Sequence, residues 1–157
     1  MPAGDPWRKT AAESAPRDVS PAGHRLAMTR LAIEGNSAFR LDDREARRDG
    51  PTYTVDTLRE LHEDGYRNIV LILGADALDD LPNWQSPAEI HALATLAVAP
   101  RDESGPARAA GVVTIDMPPL AISSTHIRAR VAAGKPIRYL VPPAVETYIV
   151  EQQLYRR

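Results

Sequence analysis

Asn68-Ile69-Val70-Leu71-Ile72-Leu73-Gly74 is the stretch whose reading decides the fold. It is continuously apolar from Ile69 to Leu73 and stops at a glycine. An unbroken apolar run of this length reads as a strand covered on both faces, as in a parallel sheet. Its flanks support that reading. Upstream, TVDTLRELHEDG (residues 54–65) is a helix that Thr52 or Thr54 can cap and Gly65 closes. Downstream, Ser86-Pro87 opens another helix, TLAVAP (residues 95–100) is a second buried strand, and VVTIDM (residues 112–117) is a third. Strands alternating with helices across short turns imply a right-handed parallel α/β layer structure.

Further out, Ser20-Pro21 starts a helix over AGHRLAMTRLAIEG, with Ser20 as N-cap, Pro21 in the first turn and Gly35 as the stop. Leu26, Met28, Leu31, Ala32 and Ile33 form its broad buried face. A short extended piece over residues 39–41 and a charged loop, DDREARRDG (residues 42–50), follow. Near the end, Ser123 or Ser124 caps STHIRARVAAG, a helix stopping at Gly134, and PPAVETYIVEQQLY (residues 142–155) supplies the last helix. Residues 100–111 read as a surface loop, and the whole of residues 1–157 as a single domain.

Composition narrows the function classes. Hydrophobic residues at 43% and charged residues at 25% describe a globular chain. A net charge of −2 leaves no electrostatic footprint for nucleic acid or an anionic membrane. The absence of cysteine excludes a disulfide framework and fits a reducing, cytoplasmic setting. No apolar stretch is long enough to span a bilayer, and the N-terminus has no signal-peptide pattern. The four histidines are scattered, with no two in ligand spacing on one helical face, so no histidine metal site is expected.

In a parallel α/β sheet, ligands bind beyond the carboxyl ends of the strands. Four segments qualify. Gly74-Ala75-Asp76-Ala77-Leu78 follows the first apolar strand, with Trp84 shortly after it. The glycine admits close backbone approach and the carboxylate can accept both ribose hydroxyls; equally, Asp76 can be a plain helix N-cap. Ser123-Ser124-Thr125 with Arg128 combines free amides, hydroxyls, a helix dipole and a guanidinium, which together suit an anion, although taken alone so common a tripeptide reads first as an ordinary cap with a surface arginine. Gly50-Pro51-Thr52-Tyr53-Thr54 feeds a helix N-terminus whose amides hold a carboxylate or are capped by the threonines. Trp7-Arg8-Lys9 sets two cations beside an aromatic, in what is otherwise a solvated loop.

Taken in order, MPAGDPWRK, HRLAMTRLAI, DDREARRDGPTYTVDTL, GADALDDLPNW, VAPR and LAISSTHIRARVAAGKPIRYLVPPAVETYI, ending in QQLY, resemble the bacterial nicotinate-nucleotide adenylyltransferases of the nucleotidyltransferase superfamily. The specific blocks are GPTYTVDTL with GADAL-x5-W, and ISSTHIR. The resemblance implies a Rossmann-like, doubly wound parallel sheet and transfer of AMP from ATP to nicotinate mononucleotide, giving deamido-NAD and pyrophosphate with Mg²⁺. It implies that Ser123, Ser124, Thr125 and Arg128 grip the ATP phosphates, that Gly74 and Asp76 hold ribose and backbone, and that Arg101 approaches the ATP side. Trp84 would stack on the pyridine ring, Thr52, Tyr53 and Thr54 would recognise its carboxylate, and Lys9, with Arg8, would lie near a substrate phosphate. His126 takes no role. Pantetheine-phosphate adenylyltransferase is the runner-up within the superfamily, and nicotinamide mononucleotide an alternative substrate.

The family's opening block, a strand, a turn carrying G-x-F-D-P-x-H-x-G-H, a helix and a second strand, has no counterpart in this sequence. Two expectations follow. Either the chain is an N-terminally truncated copy of the enzyme, incomplete in its sheet and inactive as it stands, or it is a non-catalytic nucleotide-binding remnant. Oligomeric state is left open, a homo-oligomer included.

Overall fold

The computed structural model describes residues 20–100, 110–118 and 120–156. Its elements run α1 (Ala22–Ile33), α2 (Arg44–Arg47), α3 (Thr54–Glu63), β1 (Val70–Gly74), α4 (Ala75–Asp80), a 3₁₀ turn (Leu81–Asn83), α5 (Pro87–Leu93), β2 (Thr95–Ala99), β3 (Val112–Thr114), α6 (Ser124–Ala132) and α7 (Pro143–Glu151). Two compact units contain them: Tyr53–Ala121, and the described residues of Met1–Thr52 with those of Ile122–Arg157.

In the Tyr53–Ala121 unit the three strands form one parallel sheet in the order β1-β2-β3, as an α/β alternation requires. Val70 lies beside Thr95 through to Gly74 beside Ala99, and Leu96 beside Val112 through to Val98 beside Thr114. Because side chains alternate along a strand, this register gathers Leu73, Leu96 and Val98 on one face. There they pack with Val55 and Leu58 of α3, Leu78 of α4, Leu81 and Ile90 into the core.

Two-sided burial, expected of β1, belongs instead to β2, whose Leu96, Ala97 and Val98 are all buried. On β1 the opposite face is open: Val70 is 55% and Ile72 61% exposed. The reason is position. Among the described residues β1 pairs only with β2, and the core packs against its Leu71 and Leu73 side alone.

Helix α3 starts after Tyr53 without a side-chain cap, so neither threonine fills the role expected of it. It closes at Gly65, whose φ of +91° only glycine adopts at little cost. Gly65 N–H donates to His62 O and Tyr66 N–H to Leu61 O, both at 3.0 Å. Arg59 ties α3 to α5, its Nε donating to Glu89 Oε1 at 2.7 Å and its Nη2 to Glu89 Oε2. That bond, then the charge of Arg59, holds the Glu89 carboxyl below its ordinary range.

In the other unit Ile127, Ile137, Val145 and Ile149 form the core, with Met28 and Leu31 of α1 against it. The α1 face expected to be buried is only half-buried at Leu26, Met28, Leu31 and Ile33, and exposed at Ala32. Nor is Ser20 the N-cap: Pro21 holds that position, and the Ser20 hydroxyl pairs with the Tyr155 hydroxyl at 3.0 Å. His24 Nδ1 meets the Tyr148 hydroxyl at 2.9 Å, linking α1 to α7. Residues 39–41 form no strand, and Phe39 is 61% exposed.

The charged loop contains a helix. Asp42 accepts from the Arg44 backbone N–H at 3.0 Å and from Arg44 Nε at 2.8 Å, while Arg47 pairs with Asp43 at 2.8 Å. These local ion pairs organise the single turn of α2. Burial raises the Asp42 carboxyl, but its hydrogen bonds to Arg44 and that arginine's charge outweigh burial and hold it below the ordinary value. Among the described residues no helix is long and apolar enough to cross a membrane.

Candidate functional site

The junction after β1 is tighter than the sequence suggests. Gly74 is both the last strand residue and the N-cap of α4, with extended backbone angles of −79° and 162°. Asp76 is therefore the second helical residue and not the N-cap, and its side chain is exposed in the first turn, where a carboxylate complements the helix dipole. The plain capping role expected of Asp76 therefore falls to Gly74.

Leu78 and Leu81 anchor α4 and the 3₁₀ turn in the core, and this carries the chain to Trp84. The indole is partly buried against the same core. Its Nε1–H donates to Asp80 Oδ2 at 3.1 Å, and Asn83 Nδ2 donates to Asp80 Oδ1 at 3.0 Å. Asp80 is buried, at 9% exposure. No strand-end motif marks Asp80, which is the last residue of α4 and the N-cap of the 3₁₀ turn. The i, i+4 spacing of Asp80 and Trp84 was its only trace.

At the start of α3, Asp56 N–H donates to Tyr53 O at 3.2 Å, and the two helical amides before it, of Thr54 and Val55, have no acceptor within the helix. Tyr53 and Thr54 are half-buried there. Thr52, two residues before the helix, is buried at 9% exposure, and its Oγ1 meets no hydrogen-bond partner among the described residues. A buried hydroxyl of this kind is uncommon, because leaving it unpaired costs about 1–3 kcal/mol.

In the second unit Ser123, not Ser124, caps α6: its Oγ accepts from the His126 N–H at 3.1 Å. The cap reading therefore holds for Ser123, and the hydroxyls of Ser124 and Thr125 follow it at the exposed N-terminus. Arg128 Nη2 donates to Thr125 Oγ1 at 3.3 Å, so the guanidinium lies one turn along and leans back toward the helix start. The helix ends at Gly134, φ +65°, where Gly134 N–H donates to Val131 O and Lys135 N–H to Arg130 O.

The structure thus joins Trp84 to Asp80, and Arg128 to Thr125. Arg8, Lys9, Arg101 and most of the loop at 100–111 lie outside the described residues. His24 and His62 are half-buried and hydrogen-bonded, to Tyr148 and to Leu93 O, while His91 and His126 are exposed. Among the described residues no three His, Asp or Glu side chains converge to hold a metal ion.

Comparison with known proteins gives a consistent result. The family described as cytidylyltransferase-like matches residues 2–130. A protein of Roseiflexus sp. (strain RS-1) named "Probable nicotinate-nucleotide adenylyltransferase" is 45% identical over 150 residues, covering 89% of this chain and 75% of its own length. One of the same name from Synechococcus sp. (strain JA-3-3Ab) is 43% identical over 99% of this chain and 78% of its own. Among solved structures, Plasmodium falciparum nicotinic acid mononucleotide adenylyltransferase complexed with NaAD superposes with a TM-score of 0.70 at 18% identity, covering 90% of this chain and 78% of that one. The same enzyme complexed with APC gives 0.66 at 21%. At these identities the structures establish the fold: an α/β nucleotidyltransferase sheet.

Proposed function

On the premise that the chain belongs to the nicotinate-nucleotide adenylyltransferases, within the cytidylyltransferase-like family, we propose how its residues serve the family's reaction. That reaction transfers AMP from ATP to nicotinate mononucleotide in NAD biosynthesis. The mononucleotide phosphate oxygen attacks the α-phosphorus in line, the bond to the β-phosphate oxygen breaks, and pyrophosphate leaves without a covalent enzyme intermediate. Catalysis of this kind rests on positioning and on charge stabilisation.

Trp84 stacks on the pyridine ring, an arrangement that its partly buried, core-backed indole suits. The ring carboxylate is taken by the segment Thr52, Tyr53 and Thr54. The observation that carries this is the buried Oγ1 of Thr52, which meets no hydrogen-bond partner among the described residues, ahead of the uncapped start of α3. A carboxylate supplies the acceptor that a buried hydroxyl and free amides lack, and a carboxamide supplies it less well.

Gly74 and Asp76 hold the nucleotide ribose and backbone. Ser123, Ser124, Thr125 and Arg128 hold the ATP phosphates: the first-turn amides and hydroxyls of α6 donate, and Arg128 adds a delocalised charge. Arg8, Lys9 and Arg101 are assigned to the phosphates by motif alone. Mg²⁺ enters with ATP as part of the substrate, since it is commonly held by phosphates with few protein carboxylates. The reaction is that of a cytoplasmic metabolic enzyme.

The alternatives, pantetheine phosphate or nicotinamide mononucleotide as acceptor and a non-catalytic remnant, draw no support from relatives named for nicotinate. Calorimetric titration of variants tests the assignment. Trp84→Ala should weaken nicotinate mononucleotide about tenfold or more, from lost stacking and burial, and leave ATP binding unchanged. Arg128→Ala should do the reverse, weakening ATP about 10- to 100-fold by removing a charge-assisted bond. If neither variant separates the two ligands, the assignment is wrong.

A further inference from the structure

Resting on the placement of the pyridine ring at Trp84, we propose that Asp80 is a positioning residue that fixes the plane of the Trp84 indole before the mononucleotide arrives. The observation is the buried fork at Asp80, one oxygen accepting from Trp84 Nε1–H at 3.1 Å and the other from Asn83 Nδ2 at 3.0 Å. No part of the sequence motif assigns Asp80 a role. A carboxylate is rarely so buried unless its oxygens are occupied, and here both are occupied by the segment that carries the aromatic ring.

The physical consequence concerns entropy. Trp84 follows a 3₁₀ turn in a short connection between α4 and α5, and it is only partly buried, so packing alone leaves its outer ring free to turn. A stacking platform that must be immobilised on binding loses affinity, by an amount corresponding to about two- to tenfold for one side chain. Asp80 removes that loss in advance. It grips the indole at Nε1, and a hydrogen bond there leaves the ring face available for stacking. Asn83 completes the brace by holding the other oxygen, so the carboxylate cannot swing away. The arrangement favours a planar aromatic ligand in one orientation, and it acts on ring binding without touching the phosphates.

The test is a double-mutant cycle read by calorimetric titration with nicotinate mononucleotide. Asp80→Ala in the wild-type chain should weaken binding about two- to tenfold. Asp80→Asn, which keeps an acceptor for Nε1–H, should restore most of the affinity. In a Trp84→Phe background, where the ring remains but the donor is gone, Asp80→Ala should cost nothing further. A role confined to folding predicts equal losses in both backgrounds and would overturn the proposal. Time-resolved anisotropy of Trp84, with Trp7→Phe removing the only other tryptophan, should show added sub-nanosecond indole motion in Asp80→Ala and none in Asp80→Asn. Unchanged anisotropy would also overturn it. If Asp80→Ala does not fold, Asp80→Thr takes its place, because its hydroxyl is too short to reach Nε1. Should Trp84→Ala leave affinity intact, ring placement itself is refuted; should Trp84→Ala weaken binding while Asp80→Ala does not, only the positioning role falls.

Discussion

Replacing Thr52 by valine separates stability from recognition, because the two should move in opposite directions. Thr52 is 9% exposed, and its Oγ1 has no hydrogen-bond partner among the described residues. Valine has nearly the same shape and exchanges that hydroxyl for a methyl group. An unpaired buried hydroxyl costs about 1–3 kcal/mol, so the ligand-free variant should gain about 1 kcal/mol. With a urea m-value of about 2 kcal/mol/M, the midpoint rises by about 0.5 M. In a thermal scan the same gain raises Tm by about 2–4 °C for a chain of this size. Nicotinate mononucleotide binding should fall about 10- to 100-fold, the worth of one hydrogen bond to a charged group. Urea unfolding followed by circular dichroism, paired with calorimetry, reads both quantities. A lower midpoint would mean that the hydroxyl is satisfied in the free protein, and unchanged affinity would mean that no carboxylate reaches it; either result refutes the reasoning.

Three further outcomes follow from the packing. Ile90 is fully buried between α5 and the sheet, so Ile90→Ala should cost about 2–5 kcal/mol in urea unfolding with the m-value unchanged. Gly134→Ala meets nothing within 4 Å of the new Cβ, so its cost is the left-handed backbone alone, about 1 kcal/mol by the same assay. Glu89 is held below its ordinary value of 4.5 by Arg59, so the stability it contributes is present above that pH and is lost as pH falls through the lower folded value. Glu89→Gln should therefore flatten the acid side of a Tm-against-pH curve and leave the neutral-to-alkaline side parallel to wild type.

The strand that opened the reading, its parallel partners and the helix stops at Gly65 and Gly134 were legible because each follows from local chemistry: apolar runs, and residues tolerant of positive φ. Which strand is covered on both faces was not legible. Residues 69–73 are more apolar than 95–99, which include Thr95, so apolarity alone points to the wrong strand; sheet order, with β1 at the edge among the described residues, distinguishes them. Ser20 shows the same limit, since its partner Tyr155 lies 135 residues away. Helix α2 escaped because four charged or small residues carry no apolar period, while their ion pairs become visible only in three dimensions. Of the candidate site, the strand end at Gly74 and the cap at Ser123 were readable from motif. Asp80 and the buried Thr52 hydroxyl, without a partner among the described residues, were not, because burial and partner geometry define them.

The central claim is that the protein recognises a nicotinate ring through its carboxylate, and calorimetric comparison of nicotinate mononucleotide with nicotinamide mononucleotide tests it most directly. The two ligands share ribose, phosphate and ring, and differ where Thr52 and the start of α3 are assigned to act. The account predicts that the nicotinate form binds at least about tenfold more tightly, the equivalent of one charge-assisted hydrogen bond. Equal affinity for the two, or preference for the carboxamide, would contradict it.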